Sequence, residues 1–259
     1  MKLYLNGIGI IAPGLADWGE ARAVLRGEAS YRDAPLAKLQ ATRLPAAERR
    51  RATAVTKLAL DVALQACGER AAEVATVFAS SGGEVEVIDR IFQELATVER
   101  QISPTLFHNS VHNAASGYWS IATGSRRPAM SLSAFDDTFA AGLLEAAVQA
   151  AVEAMPVLLV CYDFPPLAPI ARHRPLNAPF GVALLLQPER DPSTLAQLQL
   201  QWPCTDAATA MADPALEALR LGNPAGRSLP LLAALAQGQT GAVVLALDGG
   251  RGVRVHTTP

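Results

Sequence analysis

Residues 128–162 read PAMSLSA (128–134), FDD (135–137), TFAAGLLEAAVQAAVEAM (138–155), Pro156 and VLLVCY (157–162). Between Thr138 and Met155 the only charged residues are Glu145 and Glu153. Apolar and alanine positions run nearly all round this segment, which predicts a helix buried on most faces. Asp136 and Asp137 are strong cap and first-turn residues for it. Val157 to Tyr162 is an unbroken apolar run of strand length, the pattern of a strand covered on both faces. Pro128 to Ala134 is a further strand candidate that runs straight into the two aspartates. A helix with so little wet surface beside a fully buried strand predicts a layered architecture, with a central helix between two sheets.

Upstream, Leu3 to Ile11 is an apolar run bounded by Pro13 and Gly14 and reads as a strand feeding a tight turn. Val55, Leu58, Ala59, Val62, Ala63 and Ala66 recur at helical spacing, so Thr53 to Cys67 is an amphipathic helix. Val74 to Ala79 is a second strand, closed by Ser80-Ser81-Gly82-Gly83. Val85, Ile88, Ile91, Phe92 and Leu95 then form the stripe of another helix, with Glu84, Glu86, Asp89 and Arg90 on its wet side. This β-α-β-α alternation predicts a largely parallel sheet. Ser103-Pro104 opens an irregular segment through Ser110, and Asn113 to Gly124 forms a short helix of small residues. Downstream, Pro165 to Pro179 is a proline-rich loop. Val182 to Leu186 and Leu198 to Trp202 are strands, and Pro214 to Leu221 and Leu229 to Ala236 are helical. Ala242 to Leu247, Asp248-Gly249-Gly250 and Val253 to His256 make a closing hairpin.

Half of the 259 residues are apolar and 18% are charged, which is enough for a substantial core in one globular unit. The net charge of −2 comes from balanced acids and bases, so no field favours nucleic acid or an acidic membrane surface. Arg49-Arg50-Arg51 reads as a solvated helix start, with a patch for an acidic protein or a phosphate as the alternative. Cys67, Cys161 and Cys204 show neither CxxC nor Cys/His spacing, which argues against a disulfide framework and a zinc site and fits a reducing cytoplasm. The chain enters directly into LYLNGIGI (3–10) without a basic leader, and no apolar run reaches spanning length. Neither a targeting segment nor membrane insertion is expected.

The strand and helix order, with its nearly all-apolar third helix, resembles the N-terminal half of the β-ketoacyl synthases, which have a thiolase-like layered α/β fold of the α-β-α-β-α type. The segments that carry this are NGIGIIAP (6–13), SSGG (80–83), ISP (102–104) and NAASGYWSIATG (113–124). More closely, SPTLFHNSVHN (103–113) is similar to short ketosynthase-like proteins described as chain length factors of aryl polyene pigment clusters. The resemblance implies an intact ketosynthase-like N-terminal domain over residues 1–187. Residues 188–259 are then a truncated remnant of the C-terminal half, packed on the same core. It also implies a heterodimer with a full-length ketosynthase and, through that partner, action on acyl chains held by an acyl carrier protein, without a cofactor.

A condensing enzyme needs a thiolate nucleophile at a helix N-terminus and a base. The resemblance places that cysteine where the third strand meets the central helix, and Phe135 stands there, inside Ser133-Ala134-Phe135. Asp136 and Asp137 would raise the pKa of any thiol installed beside them. The two histidine motifs of the family's second half are not recognisable after residue 187. No catalytic residue is therefore assigned, and the chain reads as a pseudoenzyme subunit. Val87 and Ile88, which by resemblance belong to the helix flanking the acyl tunnel, join Ile91 and Phe135 as candidates for setting chain length. Phe107, His108, Asn109, His112, Asn113, Tyr118 and Trp119 are candidates for the partner interface.

Other chemistry is weaker. His108 and His112 have the spacing of one helix face, but no third ligand completes a metal set, and a buried hydrogen-bonding pair at an interface is the better expectation. Ser80-Ser81-Gly82-Gly83 lacks the lysine of a phosphate loop and reads as a tight turn. An acyltransferase or thioesterase recruiting Ser133, Asp136 and His108 or His112 is the enzymatic alternative, although no Gly-x-Ser-x-Gly elbow is present.

Overall fold

A computed structural model describes residues 1–247 and 249–259, so that Asp248 of the closing turn lies outside the described residues. Along the chain run β1 (Lys2–Ile11), α1 (Trp18–Leu25), α2 (Ala46–Arg51), α3 (Ala54–Cys67), β2 (Ala75–Ala79), α4 (Val85–Leu95), α5 (Pro104–Asn109), α6 (Ala114–Thr123), β3 (Ala129–Leu132), α7 (Thr138–Val152) and β4 (Val157–Asp163). They are followed by β5 (Phe180–Gln187), β6 (Ala196–Cys204), α8 (Pro214–Leu221), α9 (Leu229–Gln237), β7 (Gly241–Leu247) and β8 (Arg251–Thr258). Local signals set the helix ends. The Thr53 hydroxyl accepts from the Thr56 amide at 3.1 Å to start α3, and Asp213 accepts from two amides while Pro214 fills the first position of α8. Left-handed Gly124 stops α6.

Among the described residues the eight strands form one sheet in the order β3-β2-β4-β5-β1-β6-β8-β7. Only β3, β2 and β4 are parallel; every pairing from β4–β5 onward is antiparallel. The expectation of a largely parallel sheet is corrected here. Between β4 and β5 there is no α-helix, only a short 3-10 turn at Ile170–Arg172, so no helical crossover carries the chain back to a parallel start. In β1, Gly7 and Gly9 let the strand press against α3: a Cβ on Gly7 would lie 1.9 Å from the Ala66 carbonyl oxygen.

One sheet face packs against α3 and α6 and the other against α1, α7, α8 and α9. α7 touches β2, β4, β5 and β1 and also β7 and β8. The central helix therefore lies between two groups of strands, as the sequence implies, but both groups belong to one continuous sheet. Gly142 makes the approach close, since a Cβ there would sit 2.9 Å from Ala79 and Leu159 side chains. Burial of α7 is less complete than its composition implies: Val148 and Val152 near its end are exposed. Among the described residues no helix is long and apolar enough to cross a membrane.

Candidate functional site

β3 is an edge strand, bonded only to β2, and its outer residues Ala129 and Met130 are exposed. The chain leaves it through Ser133 and Ala134 and enters Phe135 with a φ of +52°. A side chain in that left-handed region costs roughly 1–2 kcal/mol, so something must hold it there. Thr138, fully buried, does so: its hydroxyl donates to the Phe135 carbonyl at 2.7 Å and accepts from the Ala134 amide at 3.1 Å. The Phe135 ring is 64% exposed. One face carries the Arg174 guanidinium, 3.9 Å from the ring centroid. Arg174 donates to Asp136 at 2.6 Å, and Arg227 lies 3.9 Å from the other Asp136 oxygen. Two guanidinium groups thus lie against Asp136, neighbours that the sequence around position 135 does not indicate.

The Ser80–Gly83 turn sits beside this junction, with the Ser133 hydroxyl donating to the Ser81 carbonyl at 3.2 Å. Its three backbone amides from Ser81 to Gly83 and the Ser80 hydroxyl are used internally, while the buried Ser81 hydroxyl has no hydrogen-bond partner. The Asp163 carboxylate accepts from the Ser80 hydroxyl at 2.9 Å, the Ser81 amide at 3.0 Å and the Gly82 amide at 3.1 Å. The Ser80 oxygen accepts from the Gly83 amide at 2.8 Å. The backbone amides that would cradle a phosphate are thus engaged by Asp163 and Ser80, in keeping with a tight turn. Burial pushes the Asp163 carboxyl above the ordinary carboxylate range in spite of these donors. Glu84 follows, accepting from the Thr53 and Thr56 hydroxyls at 2.7 Å each, and burial raises its pKa as well. Glu84 and Asp89 were expected on the wet side of α4; both are buried, Glu84 because it faces α3. On α4 itself Val87 and Ile91 point inward and Ile88 is half-buried, whereas Phe92 (61% exposed) and Leu95 face out.

The segment expected to be irregular after Ser103 is helical over Pro104–Asn109, with Pro104 at the first position, where its missing N–H costs nothing. The helix ends before His112, so the two histidines do not share its face. His112 Nε2 donates to the Ser80 carbonyl at 2.9 Å, and His108 packs edge-on against Tyr118. They form neither a hydrogen-bonded pair nor, among the described residues, part of any metal-ligating group. Asn109, Tyr118 and Trp119 are inside the chain. The Tyr118 hydroxyl donates to Asn109, which donates in turn to the Arg51 carbonyl, and Trp119 packs near Phe78. Of the interface candidates, Phe107, His108 and Asn113 are exposed and His112 is half-buried. Phe107, Val111 and Ile121 rim an apolar groove of about 470 Å³. With Phe92, Leu95, Met130 and Phe135 they leave one neighbourhood of α4, α5, α6 and β3 rich in uncovered apolar side chains.

Ser133, Asp136 and His112 are bonded to other partners, Ser133 to the Ser81 carbonyl, Asp136 to Arg174 and His112 to the Ser80 carbonyl, and among the described residues no hydrogen bond joins them to one another. Cys161 and Cys67 are buried, the first raised well above the ordinary thiol range and the second pushed up to about 12, both mainly by burial. Buried thiols with raised pKa values are poor nucleophiles. Arg49, Arg50 and Arg51 close α2 instead of opening it, the end where the helix dipole favours cations. Arg174 and Arg227 have no local pattern to mark them in the sequence; Arg174 lies in the irregular segment before β5 and Arg227 in the short 3-10 turn Ala225–Ser228. Asp163 left a faint signal, as a carboxylate ending an otherwise apolar strand.

Residues 20–246 match the sequence family described as beta-ketoacyl synthase, N-terminal domain. The chain belongs to that family. Among solved structures, this ketosynthase-family chain is similar over its whole length to a chain of equal extent in the complex of ketosynthase ApeO with its chain length factor ApeC from Xenorhabdus doucetiae, at 27% identity and a TM-score of 0.74. The ishigamide ketosynthase/chain length factor is similar over 99% of both chains at 15% identity and the same TM-score. So is the AntDE:AntF complex of a type II PKS acyl-carrier protein with its ketosynthase, at 11% identity, TM-score 0.74 and 99% of both chains. The last two likenesses show the thiolase-like ketosynthase fold alone. No curated protein sequence matches the chain.

Proposed function

We propose that this ketosynthase-family chain is a non-catalytic, chain-length-factor-type subunit that pairs with a full-length ketosynthase in acyl-carrier-protein-dependent chain elongation, of the aryl polyene kind. Phe135 carries the proposal. It occupies the left-handed strand-to-helix turn at which the family resemblance puts the nucleophilic cysteine, and a benzyl group can neither accept an acyl chain nor stabilise an oxyanion. Support comes from the 27% identity over full length to a chain of the ApeO–ApeC complex, and from the uncovered apolar side chains around β3, α4, α5 and α6. An unpaired parallel edge strand beside apolar helices is a surface suited to a large obligate interface. The division into residues 1–187 and a remnant at 188–259, and a cytoplasmic setting for its three buried free cysteines, belong to the same proposal.

In the pair, Ile88 and Phe135 are the candidates with surface to offer a growing chain, and Val87 and Ile91 act from behind as packing. Co-expression with the ketosynthase encoded next to it, size-exclusion chromatography and product analysis test this. Co-elution is expected, with product lengths that change when Ile88→Ala or Ile88→Trp is introduced. A chain that stays a monodisperse monomer and ignores the synthase refutes the pairing; unchanged lengths for both variants remove Ile88 from the chain-length role.

A further inference from the structure

The contact between Phe135 and Arg174 does something that an inert replacement of a cysteine would not require. Arg174 reaches the junction from the irregular segment between β4 and β5 and is mostly buried, with 19% of its side chain exposed. Its flat guanidinium covers one face of the Phe135 ring at 3.9 Å and is itself fixed by the 2.6 Å bond to Asp136 at the start of α7. Arg227, from the 3-10 turn Ala225–Ser228, approaches the other oxygen of Asp136. The anchor of the ring is therefore built from both halves of the chain. Two cations share one carboxylate, and Arg174 Nη2 and Arg227 Nε are each buried without a hydrogen-bond partner. Such a cluster is poor at satisfying its own donors. What it does is fix a planar cation beneath an aromatic ring.

An exposed phenylalanine ordinarily samples its rotamers on the nanosecond scale. Here the backbone is locked by Thr138, and one ring face is taken by a guanidinium that is not free to move. Phe135 as a whole nevertheless stays 64% exposed. A ring held in this way is a stop of defined position; a rotating ring would be a stop of variable depth. We propose that Arg174 is a positioning residue, which holds the Phe135 ring as a fixed end wall for the acyl chain in the assembled pair, with Asp136 and Arg227 as its anchor. This rests on the chain-length role proposed above.

The test uses the reconstituted pair and reads product lengths by mass spectrometry, with co-elution and melting temperature recorded for each variant. Phe135→Ala is expected to shift the main product by at least one two-carbon extension. Arg174→Gln is expected to broaden the distribution, raising the longer products at least threefold, and Arg174→Lys, which keeps the charge without the flat stack, to fall between it and the native chain. In the Phe135→Ala background, Arg174→Gln should add nothing, because the residue acts only through the ring. A native distribution for Arg174→Gln when Phe135→Ala shifts it overturns the positioning role and leaves the chain-length role standing. So does a double variant longer than Phe135→Ala alone, or a shift with Ile88 variants but none with Phe135→Ala. If no variant at Ile88 or Phe135 changes the products, the chain-length role itself fails. Should Arg174→Gln not fold, Arg174→Lys decides, and a native distribution for it overturns the inference.

Discussion

Replacing Asp163 by alanine should cost the chain about 3 kcal/mol. The carboxylate is 2% exposed and takes three donors: the Ser80 hydroxyl and the Ser81 and Gly82 amides. A buried donor left without a partner costs about 1–3 kcal/mol. Three such donors would exceed 3 kcal/mol, but the vacated volume admits water to some of them, and burial has already weakened the ionised carboxylate. Asn223 bonds to the Asp163 backbone carbonyl and is untouched by the change. For a domain of this size, about 3 kcal/mol lowers the melting temperature by roughly 6–12 °C. Thermal and urea denaturation followed by circular dichroism measure it. Asp163→Asn, which keeps an acceptor oxygen, should lose less than half as much. A loss below about 1 kcal/mol for the alanine variant, with unchanged urea slope, would show that the carboxylate does not organise the Ser80–Gly83 turn.

Glu84 gives a pH dependence. Its folded pKa is raised by burial, so the folded chain binds the proton more tightly than the unfolded one; the associated stability is full below the ordinary glutamate pKa and is lost as pH rises through the folded value. Glu84→Gln, which mimics the protonated acid and keeps the acceptor for Thr53 and Thr56, should gain on the native chain from pH 4 to pH 8 in urea titrations; a gap independent of pH refutes this. Phe135→Cys should create one thiol that iodoacetamide alkylates, because the three native cysteines are buried and Arg174 beside position 135 favours a thiolate. No condensation should follow in assays with acyl carrier protein, and pairing should protect the new thiol from labelling. Phe107→Asp should weaken pairing at least tenfold, about 1.4 kcal/mol, by titration calorimetry. It should leave the isolated chain's melting temperature within about 1 °C, since Phe107 is 67% exposed.

The elements of this protein were legible from local pattern alone. Apolar spacing, threonine and aspartate caps and glycine stops are short-range causes, and they place α3, α8 and β4 within a residue of where they fold and the start of α7 at Thr138, although α7 ends at Val152, three residues before the expected Met155. The absence of a thiol at position 135 was equally legible, since it needs only the identity of one residue. What lay beyond the sequence were relations between distant segments. Whether β5 returns antiparallel depends on a loop that makes no helix. Whether Glu84 is wet depends on two threonines of another helix, and whether His108 and His112 meet depends on where α5 stops. The left-handed turn at Phe135 and the guanidinium on its ring join residues 39 positions apart, from 135 to 174. No periodicity records such a contact, because its energy comes from packing and charge brought together only when the sheet closes round α7.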